Sequence, residues 1–580
     1  MFVKERNKIP LPSTDIKVRI ALVYPNAYEM GMSSYTIHLL YSLFNSYPGI
    51  RCERFFLPKK KEKHTMLQSM DTGSKLGDFD VIAFSIHYEL DYMNVLWILE
   101  NLRLPFHTKD RASKGYPLII AGGSAVKSNP LILLPFMDLL VFGDIEPIFE
   151  DFCKALVTYG DKNTDFNHIL KDNSEEVVEI CSLPNVLVSK LALNSLEGVN
   201  TNKCVFPVKR KILSSLDESI NPTKQILPSF QNPDKALVFG ETFLLEINRG
   251  CPSGCRFCLT GYVNRPFRNR SFEQIKDIID ESIPNTRAKK VTLIGSAVAS
   301  HPNFLEICKY IVDSKLQLMI PSIRIDLITP EILTVLKRGG VKSLTIAPET
   351  GTDVLRRKLN KDISNSEIIE KCKIIFKMGF QSIKFYFLVG LPYETQEDIK
   401  GIIELIQNIQ KTAGKDIPKK GIRLSINPFV PKFFTPYRNY THKFIDQKME
   451  YFRKTEKFLK SELAQSSQIE VEFLNWKEAR LQTILSQIDE TFASFLVEFY
   501  EYGALPVTMN RLDKENDYIV SDNLIHTSES FLKSQSKQTQ KLQKLIDLGF
   551  FPEYLSNEAK LGKKEKIAGC ADDCHRCGLC

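Results

Sequence analysis

Long apolar runs are missing from this sequence. None of its 580 residues lies in a stretch with the roughly 18 apolar residues that a membrane-crossing helix needs. The opening Met1-Phe2-Val3-Lys4-Glu5-Arg6 also lacks the apolar region of a secretory leader, and both absences predict a cytoplasmic protein without membrane contact. Excess charge of one sign is scarce too. The 77 basic residues face 69 acidic ones, and a net charge of +8 is too mild at this length to argue for an acidic partner. No basic module interleaved with aromatics supports nucleic-acid binding. The run Lys59-Lys60-Lys61-Glu62-Lys63-His64 reads as a solvated loop. What is present is a globular composition, 43% hydrophobic and 25% charged, long enough for three or four domains with a large core. Of 13 cysteines, seven crowd into two clusters, which points to metal or redox chemistry. Cys52, Cys153, Cys181, Cys204, Cys308 and Cys372 are scattered singly and read as small buried hydrophobes.

The first cluster is Cys251-Pro252-Ser253-Gly254-Cys255-Arg256-Phe257-Cys258, just past the extended run Thr242–Ile247. Its C-x3-C-x2-C spacing lets three thiolates converge on one small object. A structural zinc site would want a fourth protein ligand, and no further Cys or His stands nearby. A 4Fe–4S cluster held by three thiolates keeps one iron free for another ligand. The spacing and its position after a strand resemble the radical S-adenosylmethionine (SAM) superfamily. There the free iron chelates SAM, and the resemblance implies that Phe257 packs beside the cluster.

Ahead of this loop, strand-like runs at Val18–Tyr24, Val81–Ser85, Pro117–Ala121 and Leu139–Phe142 alternate with helical segments. That pattern predicts a doubly wound, flavodoxin-like parallel sheet with ligands at the carboxyl ends of its strands. Ser85, Gly122, Gly123 and Gly143 stand at such ends, glycine admitting close approach of a ligand or simply a tight turn. The segment resembles the cobalamin-binding domain that precedes many radical SAM cores, on Tyr24-Pro25-Asn26, Gly31-Met32-Ser33, Phe84–His87, Ala121–Gly123 and Phe142–Glu146. The D-x-H-x-x-G signature that gives cobalt a histidine is absent. His38 and His87 lie outside that context, so the resemblance implies cobalamin with no protein histidine on the metal, or a domain that has lost the cofactor.

After the loop, Ser271-Phe272-Glu273-Gln274 has the form of a capping box and predicts a helix start. Strands are expected at 290–294, 318–325, 343–347, 383–389 and 423–427, six in all with the run before Cys251, as in a partial (β/α)6 barrel. The resemblance then implies roles at the strand ends. Gly295 and Ser296 hold the SAM amino group through backbone, the family's glutamate being missing there. Ser322 or Arg324, polar groups on an otherwise apolar strand, reaches SAM, Glu349 binds one of its polar groups, and Arg356 or Arg357 binds its carboxylate. Val389 and Gly390, in Phe387–Thr395, match the adenine-side strand and turn, and Asn427 opens the segment closing the barrel mouth.

The expected division is therefore 1–165, a cobalamin-binding-type domain; 166–240, linker and small strands; 241–465, the radical SAM core; 466–560, mainly helical; and 561–580, a Cys-rich tail. Trp476 to Phe499 shows apolar positions at helical spacing and reads as core packing. In the tail, Cys570, Cys574, Cys577 and Cys580 form a second metal site, an auxiliary iron–sulfur cluster or zinc. Together these features resemble radical SAM proteins with an N-terminal cobalamin-type domain and a Cys-rich terminus, and depart from methylthiotransferases, whose N-terminal cysteine-bearing domain is absent. The resemblance implies reductive cleavage of SAM to a 5′-deoxyadenosyl radical, C-methyl transfer or rearrangement if cobalamin is bound, and an external electron donor such as a flavodoxin or ferredoxin. The alternative from another class is an iron–sulfur electron carrier or redox sensor without SAM chemistry.

Overall fold

The structure is a computed structural model that describes residues 4–58, 61, 65–111, 116–161, 175–199, 204–228, 237–440, 450–501, 537–568 and 576–579. The run at Val18 becomes strand β1 (Val18–Ala27), followed by β2 (Ile50–Leu57), β3 (Val81–Ser85), β4 (Leu118–Gly122), β5 (Leu139–Val141) and β6 (Val186–Val188). Strand periodicity of two decides which side chains go where. Val18, Ile20 and Leu22 enter one core while Ala21 and Val23 enter the opposite one, and Val81 against Ile82 and Leu118 against Ile119 repeat the split. Both faces are therefore buried, which is why these strands read as near-continuous apolar runs.

The sheet order is β2-β1-β3-β4-β5-β6, parallel from β2 to β5. This is the doubly wound order with its switch point between β1 and β3, where a crevice opens at the carboxyl ends. The sheet continues past residue 165, however. Helix Glu175–Ser182 leads into β6, which pairs antiparallel with β5. Cys181 and Cys204 are joined in a disulfide, Cα–Cα 5.2 Å, and so depart from their reading as isolated buried thiols. The Lys59–His64 loop falls almost wholly outside the described residues.

Among the described residues the central core has the six expected parallel strands and a seventh. They are β7 (Phe243–Glu246), β8 (Lys290–Ile294), β9 (Gln317–Met319), β10 (Ser343–Glu349), β11 (Ser382–Val389), β12 (Ile422–Pro428) and β13 (Ile469–Phe473). They form two sheets, β7-β8-β9 and β10-β11-β12-β13, linked where Ile323 N–H donates to Thr345 O at 3.0 Å. β9 stops at Met319 instead of reaching Ile325, because a bend and a 3-10 turn at Ile325–Leu327 take over. Ser271 caps helix Phe272–Thr286 by accepting from Gln274 N–H, but the reciprocal bond is replaced by Ser271 N–H to Asp217. The complete box sits at Thr395 and Asp398, starting helix Gln396–Ala413.

The expected 476–499 helix is broken. Trp476–Leu485 ends, Asp489 caps a short 3-10 turn by accepting from Thr491 N–H, and Ala493–Glu501 follows. Leu481, Leu485, Leu496 and Phe499 pack on the N-terminal sheet's second core, so this region buttresses that domain.

Candidate active site

The cysteine loop leaves β7 and is fixed by its neighbours before any cofactor is considered. Arg256, fully buried, donates to Lys358 O (3.0 Å) and Lys566 O (2.6 Å) and pairs with Glu558 at 3.5 Å. Asn360 Nδ2 donates to Gly254 O at 2.9 Å, and a Cβ on Gly254 would lie only 2.9 Å from that nitrogen, so the close approach selects glycine. Tyr262 Oη donates to the same Gly254 carbonyl at 3.1 Å. Phe257 packs beside Leu355, Leu391 and Tyr437.

Cys251, Cys255 and Cys258 are partly exposed free thiols. Burial pushes Cys255 up to about 12, with the Lys361 ammonium opposing and the charges of Cys258, Cys251 and Glu349 adding. Burial also raises Cys258, with Cys251 and Glu349 contributing. Cys255 thus feels both other thiols, and at neutral pH Cys255 and Cys258 give up their protons only to a bound metal. Among the described residues no three His, Cys, Asp or Glu side chains are grouped to hold a single metal ion.

Two of the expected residues, Arg324 and Glu349, interact electrostatically with the thiols. Arg324 interacts electrostatically with Cys255 and Cys251, pairs with Asp326 at 2.7 Å and donates to Ser253 Oγ. Glu349 ends β10 with φ +69° and pairs with Lys361 at 2.9 Å. A left-handed glutamate is a strained position, and such strain concentrates at functional sites. Gly295 follows β8, where a Cβ would collide with Asn248, whose amide ties the turn by donating to Ala297 O at 2.9 Å. Val389 is buried at the end of β11, and Gly390 N–H donates to Glu394 at 2.9 Å, folding the turn after it. Asn427 lies on β12 beside Leu388, and Ser322 is exposed beyond β9.

Arg356 departs from its expected role. All five of its N–H groups are spent inside the chain, on Pro348 O, Thr350 O, Ile363 O, Asp353 and Asn365, so it pins a turn and has no donor left for a carboxylate. Arg357 faces Glu565 at 3.4 Å. That leaves Arg324 as the guanidinium beside the thiols.

A cavity of about 410 Å³ joins the two domains. Ser85, Gly122, Gly123 and Gly143 from the N-terminal strand ends share it with Gly295 and Ser296 from β8. It continues as an apolar slot between the sheet (Ile20, Leu22, Ala83) and helix Tyr35–Ser46 (Leu39, Leu40, Phe44). Gly123 has φ +112°, and a Cβ there would run into the Ile86 backbone. At the rim, Arg249 pairs with Glu246 (2.8 Å), Glu146 (3.0 Å) and Asp144 (3.2 Å), and Arg268 pairs with Asp144 at 2.6 Å. Burial pushes Asp144 up, but these guanidiniums outweigh it and hold the carboxyl below the usual range.

Residues 245–406 match the family model of the radical SAM superfamily, and residues 36–180 match that of the N-terminal region of radical SAM proteins. The chain is a radical SAM protein. An uncharacterised protein of Methanocaldococcus jannaschii is 27% identical over 84% of this chain and 92% of its own length. A ribosomal protein uS12 methylthiotransferase of Clostridium botulinum is 26% identical over 34% of this chain and 45% of its own. Among solved structures, the radical SAM methyltransferase TsrM of Kitasatospora setae, with cobalamin and a 4Fe–4S cluster bound, has a TM-score of 0.47 and 12% identity over 74% of this chain and 75% of that one.

Radical SAM proteins use a 4Fe–4S cluster and SAM, and the three free thiols of this loop, with Cys255 interacting electrostatically with the other two, are a donor set that such a cluster fits. His87 lies in the cavity wall with both ring nitrogens engaged, Nε2 with Ser85 Oγ at 3.0 Å and Nδ1 with Ser124 Oγ at 3.3 Å. Burial, then the Lys127 charge, lowers His87 to about 4. The unfolded chain therefore takes up the proton first. Its stabilising contribution is complete above about pH 6.5 and is lost as the pH falls toward 4. An NMR titration should place the His87 midpoint below 5, and a midpoint near 6.5 would contradict this cavity wall. His38 is a buried core residue, its Nε2 3.1 Å from Met32 O.

Of the tail cysteines only Cys577 is described, buried beside Tyr262 and Tyr554, while Cys570, Cys574 and Cys580 lie outside the described residues. Sequence reading missed Asn248, Asn360, Lys361 and Arg256. Arg256 alone had a signal, standing within the cysteine motif. No helix is long and apolar enough to cross a membrane among the described residues.

Proposed function

We propose that the chain cleaves SAM reductively at a 4Fe–4S cluster on Cys251, Cys255 and Cys258, and directs the resulting chemistry into the cavity shared with a cobalamin-type domain, for methyl transfer to a small substrate. The observation that carries this reading is the single cavity lined both by Ser85, Gly122, Gly123 and Gly143 and by Gly295 and Ser296. Ligands of doubly wound sheets and of barrels alike bind at carboxyl strand ends, and here the two sets of ends meet.

The cluster, when bound, supplies the electron and the open coordination position for SAM. The chain's own residues do the rest. Arg324 offers a guanidinium for the SAM carboxylate beside the thiols, and Glu349, held by Lys361, accepts hydrogen bonds from SAM polar groups. Gly295 and Ser296 present backbone to the amino group, and Val389 and Gly390 flank the adenine. The apolar slot under helix Tyr35–Ser46 suits a planar aromatic appendage of cobalamin. His87, with both nitrogens occupied, supports a corrinoid that takes no histidine from the protein.

The test is retention of corrinoid after incubation with hydroxocobalamin and gel filtration. About one equivalent is expected for the native chain, and Ala83→Phe, which fills the slot, should lower retention at least tenfold while the iron content holds. Equal retention in both proteins, or none in the native chain, would remove cobalamin from the account and leave the radical SAM assignment standing.

A further inference from the structure

We propose that Lys127 is an anion-recognition residue of the shared cavity, and that the substrate taken there is a small molecule carrying a carboxylate. The inference rests on the reading of the cavity as the place where a corrinoid and the radical SAM core meet, and adds to it the chemical class of what is acted on.

Lys127 stands on helix Ser124–Ser128, just after β4 and the Gly122-Gly123 turn. It is partly buried and lines the cavity. Its Nζ donates to Asn264 Oδ1 at 3.2 Å, a neutral acceptor at the end of helix Thr260–Val263, which follows the cysteine loop. An ammonium has three N–H donors, so this bond leaves two for a ligand.

The carboxylates of the same wall are engaged elsewhere. Asp144 pairs with Arg268 at 2.6 Å and Arg249 at 3.2 Å, while Glu146 and Glu246 pair with Arg249 at 3.0 and 2.8 Å. None of the three forms an ion pair with Lys127, although Asp144 acts on it at longer range. Burial lowers the ammonium from its ordinary value, with Asp144 opposing and Arg249, Arg210 and Arg268 adding to the effect of burial. Of these guanidiniums, Arg210 is spent on Val263 O, so it too brings a positive charge to this wall. A cation drawn out of water and repelled by its neighbours gains more from an entering anion than a hydrated surface lysine does.

Position decides between two sources of that anion. The anionic group of a cobalamin is the phosphodiester of its nucleotide tail, and on the reading above the tail enters the apolar slot. Ile20, Leu22, Leu39 and Phe44 of the slot belong to one core of the N-terminal domain. Ala125 and Val126, beside Lys127, belong to the core on the other face of the sheet, as does Val263 beside Asn264. The ammonium therefore faces the cysteine-loop side of the cavity, apart from the tail, and the anion it takes belongs to the substrate. A lysine reads that anion as a point charge and so fixes one end of the molecule.

Phenylacetate and phenylacetamide, alike in shape and different in charge, serve as probes. Calorimetric titration of the full chain, reconstituted anaerobically with iron and sulfide, should show the carboxylate bound about tenfold more tightly than the amide. Lys127→Met keeps a side chain of similar length without the charge and should bind the two alike. It should melt no lower than the native chain, because it removes a buried charge that lacks an ion pair. Asn264→Asp leaves Lys127 in place but gives it a carboxylate of its own, and should also erase the preference, which a purely structural lysine would not. A native chain that binds the probes alike or binds neither, or a preference that survives in both variants, would overturn the proposal. So would a Lys127→Met protein that loses cobalamin but keeps cobinamide, which has no nucleotide tail, since the ammonium would then hold the cofactor's phosphodiester. Failure of the underlying reading has a different signature, namely a native chain that retains neither corrinoid.

Discussion

Cys255→Ala protein, purified without oxygen and reconstituted with iron and sulfide, is expected to lose the brown chromophore of the loop cluster and to form no 5′-deoxyadenosine from SAM, a fall of at least a thousandfold. The size of the effect follows from ligand count. A cluster anchored at three corners has no spare protein donor, and no His or other Cys stands near enough in sequence to substitute. Cys255 is also the thiol whose surroundings couple it to both partners and to the Lys361–Glu349 pair, so its loss removes the centre of the arrangement. The loop itself should survive, because Arg256, Asn360 and Tyr262 hold its backbone through bonds that do not involve the thiol. Thermal unfolding within about 1 kcal/mol of the native chain would separate lost chemistry from lost structure. Substantial SAM cleavage by this variant would contradict the ligand assignment.

Asp144→Ala should produce the largest loss of stability among single substitutions at the site, on the order of 3–5 kcal/mol, read as a shift in the urea midpoint. Asp144 is nearly buried and faces Arg268 at 2.6 Å and Arg249 at 3.2 Å, so deleting it takes the carboxylate from the buried Arg268, while Arg249 keeps Glu246 and Glu146. Because Arg249 stands two residues before Cys251, the variant should also bind less iron. Asp144→Asn keeps the shape without the charge and should fall between the two. The native carboxyl lies below the usual range, so its stabilising contribution is present above about pH 4 and is lost only as the pH falls through its folded value. A midpoint unchanged by Asp144→Ala would mean that the interdomain wall does not depend on this pair.

The strands of the N-terminal sheet were legible because they are buried on both faces and read as apolar runs, and most of the core strands because their buried positions recur along short apolar stretches. The cysteine loop was legible because its ligands are adjacent in sequence. β13 was missed although Ile469-Glu470-Val471-Glu472-Phe473 alternates cleanly. Only Ile469 is buried, its other side chains being half-buried or exposed, and two of its five residues are charged. Arg356 misled because its sequence neighbourhood, shortly after Glu349, matches a ligand-binding position, while its actual partners include Ile363 O and Asn365, which nothing in the spacing announces. Asn360 lies 106 residues from the loop it supports, and a tertiary hydrogen bond of that reach leaves no periodic trace in sequence. The cavity likewise depends on the facing of two domains, each of whose strand-end residues had been read separately.

Electron paramagnetic resonance of the anaerobically reconstituted, dithionite-reduced chain, recorded with and without SAM, addresses the central claim most directly. A reduced 4Fe–4S signal that changes shape when SAM is added, and that disappears in Cys255→Ala, is the predicted result. A loop that carries zinc, or a cluster signal indifferent to SAM, would contradict it.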